Sequence, residues 1–349
     1  MNGIDVKIAV YGAGAMGTVL GALLTKGGLK NVDLITRNVA HVTGLKEQGA
    51  SIVCEGEGGE ICVKVNALLP SEMSEKYDVI FLMTKQRHNA EILTGLLPFL
   101  KEDGLVCTTQ NGLPEASVAE IVGEERTYGA ATSYGATFIG NGKVALTSKV
   151  AGMKMEVGGY QNDGKKLPLL LNILAYAGKA IGKEDFAKGT DNLLGSRWSK
   201  LCINATFSGL SVVTGETFGA IVGKGKSRKI ALSALRECIS VAEASGVTLA
   251  KMQGHDMRKM LGGKSPLKRF IAYMVLPFAM KNHKKLRSGM LRDVTEGRRC
   301  EIDYITGAVC KVGEKYGVET PVCKKITELV HDIENGLCET DYKNLDFFD

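Results

Sequence analysis

The sequence predicts an α/β chain in which an N-terminal, mostly parallel sheet is followed by an all-helical domain. Three observations carry this. The apolar run Lys7–Tyr11 ends at a glycine-rich turn that leads straight into a helical segment. Up to about residue 122, strand-like and helix-like segments alternate at the spacing of right-handed crossovers between parallel strands. After Lys188-Gly189-Thr190 the apolar periodicity turns helical almost throughout.

The elements follow in order. Lys7–Tyr11 reads as a buried parallel strand, and Thr18–Lys26 as a helix that stops at Gly27-Gly28. Val32–Thr36, Val79–Met83 and Leu105–Thr109 are further strands, with helices over about Asn89–Leu100 and over Pro114–Val122. From Tyr128 to Val157, short β-runs broken by Gly140-Asn141-Gly142 predict a hairpin appended to the sheet. Leu167–Ala180 is one more amphipathic helix. Leu193–Phe207, Lys229–Ser245, Ser265–Ala279 and Asp303–Tyr316 are the best helices of the second half. The boundary falls near 183–192, which gives domains 1–187 and 188–349. The acidic, aromatic stretch Asn335–Asp349 is either a docked tail or frayed.

Composition narrows the function classes. A chain of 349 residues favours two domains, and 44% hydrophobic with 23% charged residues excludes disorder. A net charge of +6 suits attraction of an anionic ligand. No basic run is interleaved with aromatics, so nucleic acid is not an expected partner. Nine scattered cysteines without a C-x-x-C pair predict reduced thiols and a cytoplasmic protein. No secretory signal is expected at the N-terminus, and no apolar run approaches the ~18 residues of a membrane span. The five histidines lack ligand spacing, and no metal is expected. Gly262-Gly263-Lys264-Ser265 is not a phosphate loop, because position 258 is Arg258 and no strand leads into it. Lys281–Arg287 reads as a solvated basic run.

The segment Gly12-Ala13-Gly14-Ala15-Met16-Gly17 has the G-x-G-x-x-G spacing of a dinucleotide-binding, Rossmann-type turn. The first glycine makes the turn, the second lets the backbone approach a pyrophosphate, and the third lets helix and sheet pack closely. The helix N-terminus then offers free N–H groups and a positive dipole end to the phosphates. The next strand ends at Thr36-Arg37-Asn38, where an NAD enzyme tends to carry an acidic residue for the ribose hydroxyl. Arg37 suits a 2′-phosphate instead, so NADP (NADPH) is the expected cofactor. Lys85 and Asn111 follow two later strands at the carboxyl edge, where ligands of open α/β sheets bind, and are further cofactor or substrate candidates.

Four segments of the second half add a resemblance. Trp198-Ser199-Lys200-Leu201-Cys202-Ile203-Asn204 opens it, and Ser288 to Val294, Glu301 to Ala308 and Tyr316 to Val322 follow in order. Together with Gly12–Gly17 and Gln110-Asn111-Gly112, they resemble ketopantoate reductases (2-dehydropantoate 2-reductases) from about residue 6 to about residue 330. The resemblance implies NADPH-dependent reduction of 2-dehydropantoate to pantoate, a step toward pantothenate. It implies Lys200 as general acid, Asn204 as a substrate ligand and Glu301 as the carboxylate that helps hold both lysine and substrate. Asn111 would lie near nicotinamide and substrate, and Lys85 near the cofactor and the substrate carboxylate. A small 2-oxo acid would be the partner, and a homodimer through the helical domain is an expectation from its apolar faces.

The chemistry of the residues agrees with these roles. Hydride addition to a ketone builds negative charge on oxygen, which an ammonium stabilises before donating its proton. Residues 200 and 204 are i and i+4 on one helix and share a face. Burial would lower the Lys200 pKa, and a nearby Glu301 would raise it. Two positions depart from the family pattern. A second asparagine followed by proline is common where this chain has Ser208-Gly209, and a serine is common at Gly289, where Ser288 lies one residue earlier. Ser208 and Ser288 are the substrate-binding candidates in their place. Ketopantoate, a different 2-oxo acid, and a non-catalytic NADP-sensing role all stay open at this level.

Overall fold

In the computed structural model, residues 4–55, 57–223, 225–252, 254–263 and 265–348 are described. The chain divides into two compact units. One comprises Met1–Gln110 with Pro114–Leu193, the other Asn111–Leu113 with Leu194–Asp349.

The first unit is built on strands β1 (Ile8–Tyr11), β2 (Val32–Ile35), β3 (Ala50–Cys54), β4 (Glu60–Val63), β5 (Asn66–Leu68), β6 (Tyr77–Leu82), β7 (Leu100–Thr108), β8 (Thr127–Thr132), β9 (Ala136–Gly140), β10 (Lys143–Leu146), β11 (Met155–Gly159) and β12 (Ala187–Gly189). Its helices are α1 (Ala15–Gly27), α2 (Val39–Gln48), α3 (Asn89–Leu96), α4 (Glu115–Val122) and α5 (Leu167–Ala180). Among the described residues an eight-stranded sheet runs β12-β11-β8-β7-β6-β1-β2-β5. Its ladders are parallel except β8 with β11, which is antiparallel. Tyr11 lies level with both Ile35 and Leu82, so β1, β2 and β6 end in register at the carboxyl edge.

Alternation along the strands sorts two cores. Ile8 and Val10 of β1 pack with α1 and α5, whereas Ala9 packs with Ile80, Leu82 and the α3–α4 residues Ile92, Leu93 and Val118. The hairpin expected on this sheet lies elsewhere. β9 and β10 join β3 and β4 in a separate four-stranded sheet of order β4-β3-β10-β9. Two close approaches account for it. A Cβ on Gly44 of α2 would lie 2.6 Å from the Asn141 backbone. The buried His41 accepts the Gly142 N–H at Nδ1 (2.9 Å) and meets the Thr18 hydroxyl of α1 at Nε2 (2.9 Å). The second sheet therefore covers α1, which is buried from Gly17 to Leu24 without a solvent face.

The second unit contains α6 (Leu193–Thr214), α7 (Phe218–Gly223), α8 (Gly225–Ala244), α9 (Met257–Leu261), α10 (Pro266–Ala279), α11 (Gly289–Thr295), α12 (Thr306–Tyr316) and α13 (Pro321–Glu334). Its core gathers Trp198, Leu201, Ala205 and Phe207 of α6 with Leu235 of α8, Val309 of α12 and Ile326 of α13. The chain beyond α13 is docked: Leu345 is buried, and Asn344 donates to the carbonyls of Val213 (3.0 Å) and Glu339 (2.8 Å).

The closest helix contact in the first unit gives a test. A Cβ on Gly27 would sit 1.9 Å from the Tyr176 carbonyl oxygen of α5, while one on Gly95 of α3 would meet nothing within 4 Å. Gly27→Ala is expected to lose about 2–3 kcal/mol or more, and Gly95→Ala to be neutral or stabilising by up to ~1 kcal/mol. Urea unfolding of both variants checks this, and a wild-type midpoint for Gly27→Ala would contradict the packing described.

Candidate functional site

The glycine turn is shaped by backbone geometry. Gly12 has φ +96°, which side chains rarely adopt, and a Cβ there would lie 2.7 Å from the Met83 carbonyl carbon. A Cβ on Gly17 would lie 2.6 Å from the Gly12 oxygen, so α1 can approach the turn only as glycine. Gly14 differs. Its φ of −79° suits any residue, and its Cβ would meet nothing nearer than 4.0 Å. Among the described residues nothing calls for glycine at 14; an exposed turn at a helix N-terminus, with space left for a ligand, fits a dinucleotide pyrophosphate. Ala13 is buried, and Ala15 and Met16 are half-buried at the start of α1.

The Ile35 carbonyl accepts the N–H groups of Gly12 and Ala13, each at 2.9 Å. This ties the turn to the end of β2, from which Thr36-Arg37-Asn38 continues. Arg37 is exposed, and no ion pair engages it among the described residues. Asn38 caps α2 by accepting the His41 N–H (3.1 Å). Arg37 is thus held between a strand end and a helix cap, with its guanidinium available to an anion.

At the ends of β6 and β7, Lys85 is half-buried and Asn111 is exposed, followed by Gly112 at φ +82°. The ends of β6 and β7 are joined by a buried network that the sequence reading missed. The Gln110 amide nitrogen donates to the Thr84 carbonyl (2.8 Å) and to Asn89 Oδ1 (2.7 Å). Gln110 Oε1 accepts from Asn89 Nδ2 (3.2 Å) and the Thr108 hydroxyl (3.0 Å). Asn89 also donates to Ser117 (2.9 Å). Two amides exchanging hydrogen bonds clamp the strand ends that precede Lys85 and Asn111. The only sequence signal is an amide directly before an Asn-Gly turn.

In the second unit, α6 is closed along its length from Gly195 to Thr214 except at Lys200, Ile203, Asn204 and Ser208. Lys200, Asn204 and Ser208 are four apart and share that one open face. Burial, and secondarily the Arg197 charge, lower the Lys200 pKa to about 7. The net direction is down, and Arg197, itself buried in the interior, is a determinant that the sequence reading missed. The side opposite the open face is packed hard: a Cβ on Gly209 would lie 2.4 Å from Ile326 of α13, and Thr306 donates to the Ala205 carbonyl (2.8 Å).

Glu301 is half-buried at the start of a short 3-10 turn over Ile302–Tyr304. The Ser288 hydroxyl is buried and accepts the Met290 N–H (3.0 Å), capping α11. Gly289 faces open space, so a side chain at that position would find room. Among the described residues no group of three or more His, Cys, Asp or Glu is placed to hold a metal, and no helix is long and apolar enough to cross a membrane. Arg258 lies in α9, and Lys264 of the set-aside glycine-lysine segment lies outside the described residues.

Comparisons with known proteins agree with the fold. The profile described as "Ketopantoate reductase PanE/ApbA" matches residues 8–159, and "Ketopantoate reductase PanE/ApbA C terminal" matches residues 192–334. The 2-dehydropantoate 2-reductase of Lactococcus lactis subsp. lactis (strain IL1403) is 29% identical over 337 residues, covering 95% of this chain and 99% of that protein. A D-mandelate dehydrogenase solved with NADH and anilino(oxo)acetate superposes with a TM-score of 0.78 at 28% identity, covering 95% of this chain and 99% of that one. A ketopantoate reductase of the same family from Ralstonia eutropha JMP134 superposes at TM-score 0.77 and 24% identity, covering 95% and 99%. Fold, glycine turn and relatives define the class: an NAD(P)-dependent reductase of 2-oxo acids, an oxidoreductase acting on CH–OH donors. Within that class, the chain belongs to the ketopantoate reductase family.

The amide clamp gives a prediction. Gln110→Glu would set a carboxylate oxygen against the Thr84 carbonyl and Asn89 Oδ1, both acceptors. It is expected to lower kcat/KM at neutral pH by about tenfold or more, with partial recovery as the carboxyl protonates in acid. A wild-type kcat/KM would show that the clamp does not position the strand ends.

Proposed function

We propose that the chain reduces ketopantoate to pantoate with NADPH, the first unit holding the cofactor and the second the substrate. The open face of α6 carries this reading, since it sets an ammonium of pKa about 7 four residues from a carboxamide. The turn Gly12–Gly17 takes the pyrophosphate and Arg37 the 2′-phosphate, with Lys85 and Asn111 toward the nicotinamide end. Bound there, the cofactor would supply a hydride to the 2-oxo carbon. Lys200 donates one proton from its ammonium to the carbonyl oxygen, becomes the neutral amine and is reprotonated from solvent. Burial makes this transfer favourable, because the enclosed ammonium holds its proton less tightly than an exposed lysine. Asn204 and Ser208 orient the substrate by hydrogen bonds, and Glu301 holds Lys200 and the substrate hydroxyl. Ser288, whose oxygen accepts the Met290 N–H, keeps its O–H to donate to the substrate. A homodimer through the second unit belongs to the same proposal. So does a cytoplasmic location.

A second reading keeps the chemistry and changes the acid. Gly289 leaves open space where the family commonly has serine, and the structurally similar mandelate dehydrogenase was solved with anilino(oxo)acetate. A 2-oxo acid with a bulkier substituent fits that room.

Kinetics with a panel of 2-oxo acids separate the two readings by kcat/KM. Lys200→Ala is expected to lower kcat by about 10²–10⁴-fold for every substrate that turns over. The protonated lysine is the active form in reduction, so kcat/KM should fall as pH rises through about 7, and the reverse oxidation should rise there. Full activity of Lys200→Ala would remove the assigned proton donor. Arg37→Ala is expected to raise the KM for NADPH about tenfold or more while leaving that for NADH within a factor of about two. An unchanged preference would assign the 2′-phosphate elsewhere.

A further inference from the structure

The second unit carries a basic cavity that the proposed reduction does not use. Lys229, Leu232 and Arg236 lie on one face of α8 at spacings of three and four residues, and Arg269, Phe270 and Tyr273 lie on α10. These side chains, with the exposed Ser233, line an open, solvent-facing cavity of about 410 Å³. Arg236 donates its Nε–H to the Leu261 carbonyl (3.1 Å), which fixes the guanidinium, while its Nη2 is buried with no hydrogen-bond partner. Burial and the neighbouring Arg269 charge both push the Arg236 pKa down, as expected of like charges brought together without a counter-charge. Arg228 lies over the Tyr273 ring at 4.6 Å and adds a further cation.

The acidic residues of these helices are engaged elsewhere. Glu237 accepts the N–H groups of Val322 (2.9 Å) and Cys323 (2.8 Å), and Glu243 pairs with Arg258. α9 and α10 contain no acidic residue. Among the described residues, no carboxylate forms an ion pair with Lys229, Arg236 or Arg269. Three cations without a paired carboxylate among the described residues thus line a space with apolar walls, the buried Nη2 of Arg236 lying out of reach of solvent.

We propose that this cavity binds a phosphate-bearing organic anion, its phosphate held by Arg236, Arg269 and Lys229 and its organic part packed on Leu232, Phe270 and Tyr273. Two guanidinium forks and an ammonium match the charge of a phosphomonoester, about −1.5 to −2 at neutral pH, better than that of a monocarboxylate. The volume falls in the range of small-molecule sites and exceeds what a bare phosphate fills. The outer face of α10 exposes Leu267, Ile271, Met274 and Phe278, so the phosphate can arrive on a lipid headgroup as well as on a soluble metabolite.

Calorimetric titration of the full chain with inorganic pyrophosphate, in excess NADP⁺ so that the glycine turn is filled, tests the site. Co-sedimentation with phosphatidylcholine vesicles, with and without phosphatidic acid, tests the lipid source. Pyrophosphate binding that weakens about tenfold or more in both Arg236→Gln and Arg269→Gln supports the site and a soluble ligand. Binding to phosphatidic acid vesicles alone, with the same loss in both variants, supports the site and a lipid headgroup. Arg236→Gln also removes the bond to Leu261, whereas Arg269 is exposed and its variant leaves the fold intact. No binding of either probe, or binding that Arg269→Gln leaves within a factor of two, overturns the proposal.

Discussion

The chemistry assigned to this chain depends on α6 being enclosed on every side but one. Gly209 lets Ile326 press against the helix backbone, and Thr306 ties the Ala205 carbonyl from the same side. The apolar core around Trp198, Leu201 and Phe207 closes the remaining faces. A lysine on the surviving open stripe is desolvated without being sealed off, and Arg197 adds a like charge from within the protein. The same ammonium on a solvated helix would hold its proton near the ordinary lysine value and be a poor donor at neutral pH.

The first unit solves a different problem with the same economy of space. Gly12 and Gly17 are glycines because the fold itself fills the positions of their missing side chains, whereas Gly14 is glycine with nothing among the described residues to demand it. That contrast separates packing from ligand approach within one six-residue motif. The shared acceptor at Ile35 couples the turn to the strand end that carries Arg37, so main-chain bonds hold the two proposed phosphate sites in register. His41 braces the same region from behind, between α1, α2 and the β9–β10 hairpin.

How much of this was legible in the sequence follows from the range of the interactions. The glycine turn, the strand-end Arg37 and the i, i+4 pair Lys200 and Asn204 are local patterns and could be read directly. The Gln110 clamp joins residues 21 and 26 positions apart through side-chain amides, and no periodicity announces it. The hairpin of residues 136–146 was readable as a hairpin, but its sheet was not, because its partners β3 and β4 lie some ninety residues earlier in a glycine-rich stretch. Helix α13 was hidden behind Pro321, which read as part of a motif rather than as the first position of a helix. The basic cavity of α8 and α10 was equally invisible, since each helix alone shows only a few solvated cations.

The most direct test of the account is a titration of Lys200 itself. In protein labelled with ¹³C at lysine Cε, the Lys200 resonance, assigned by its loss in Lys200→Arg, should titrate with a midpoint near 7. A midpoint near the ordinary lysine value of about 10.4 would contradict the account, because the open face of α6 would then carry a solvated cation and no proton donor tuned for reduction.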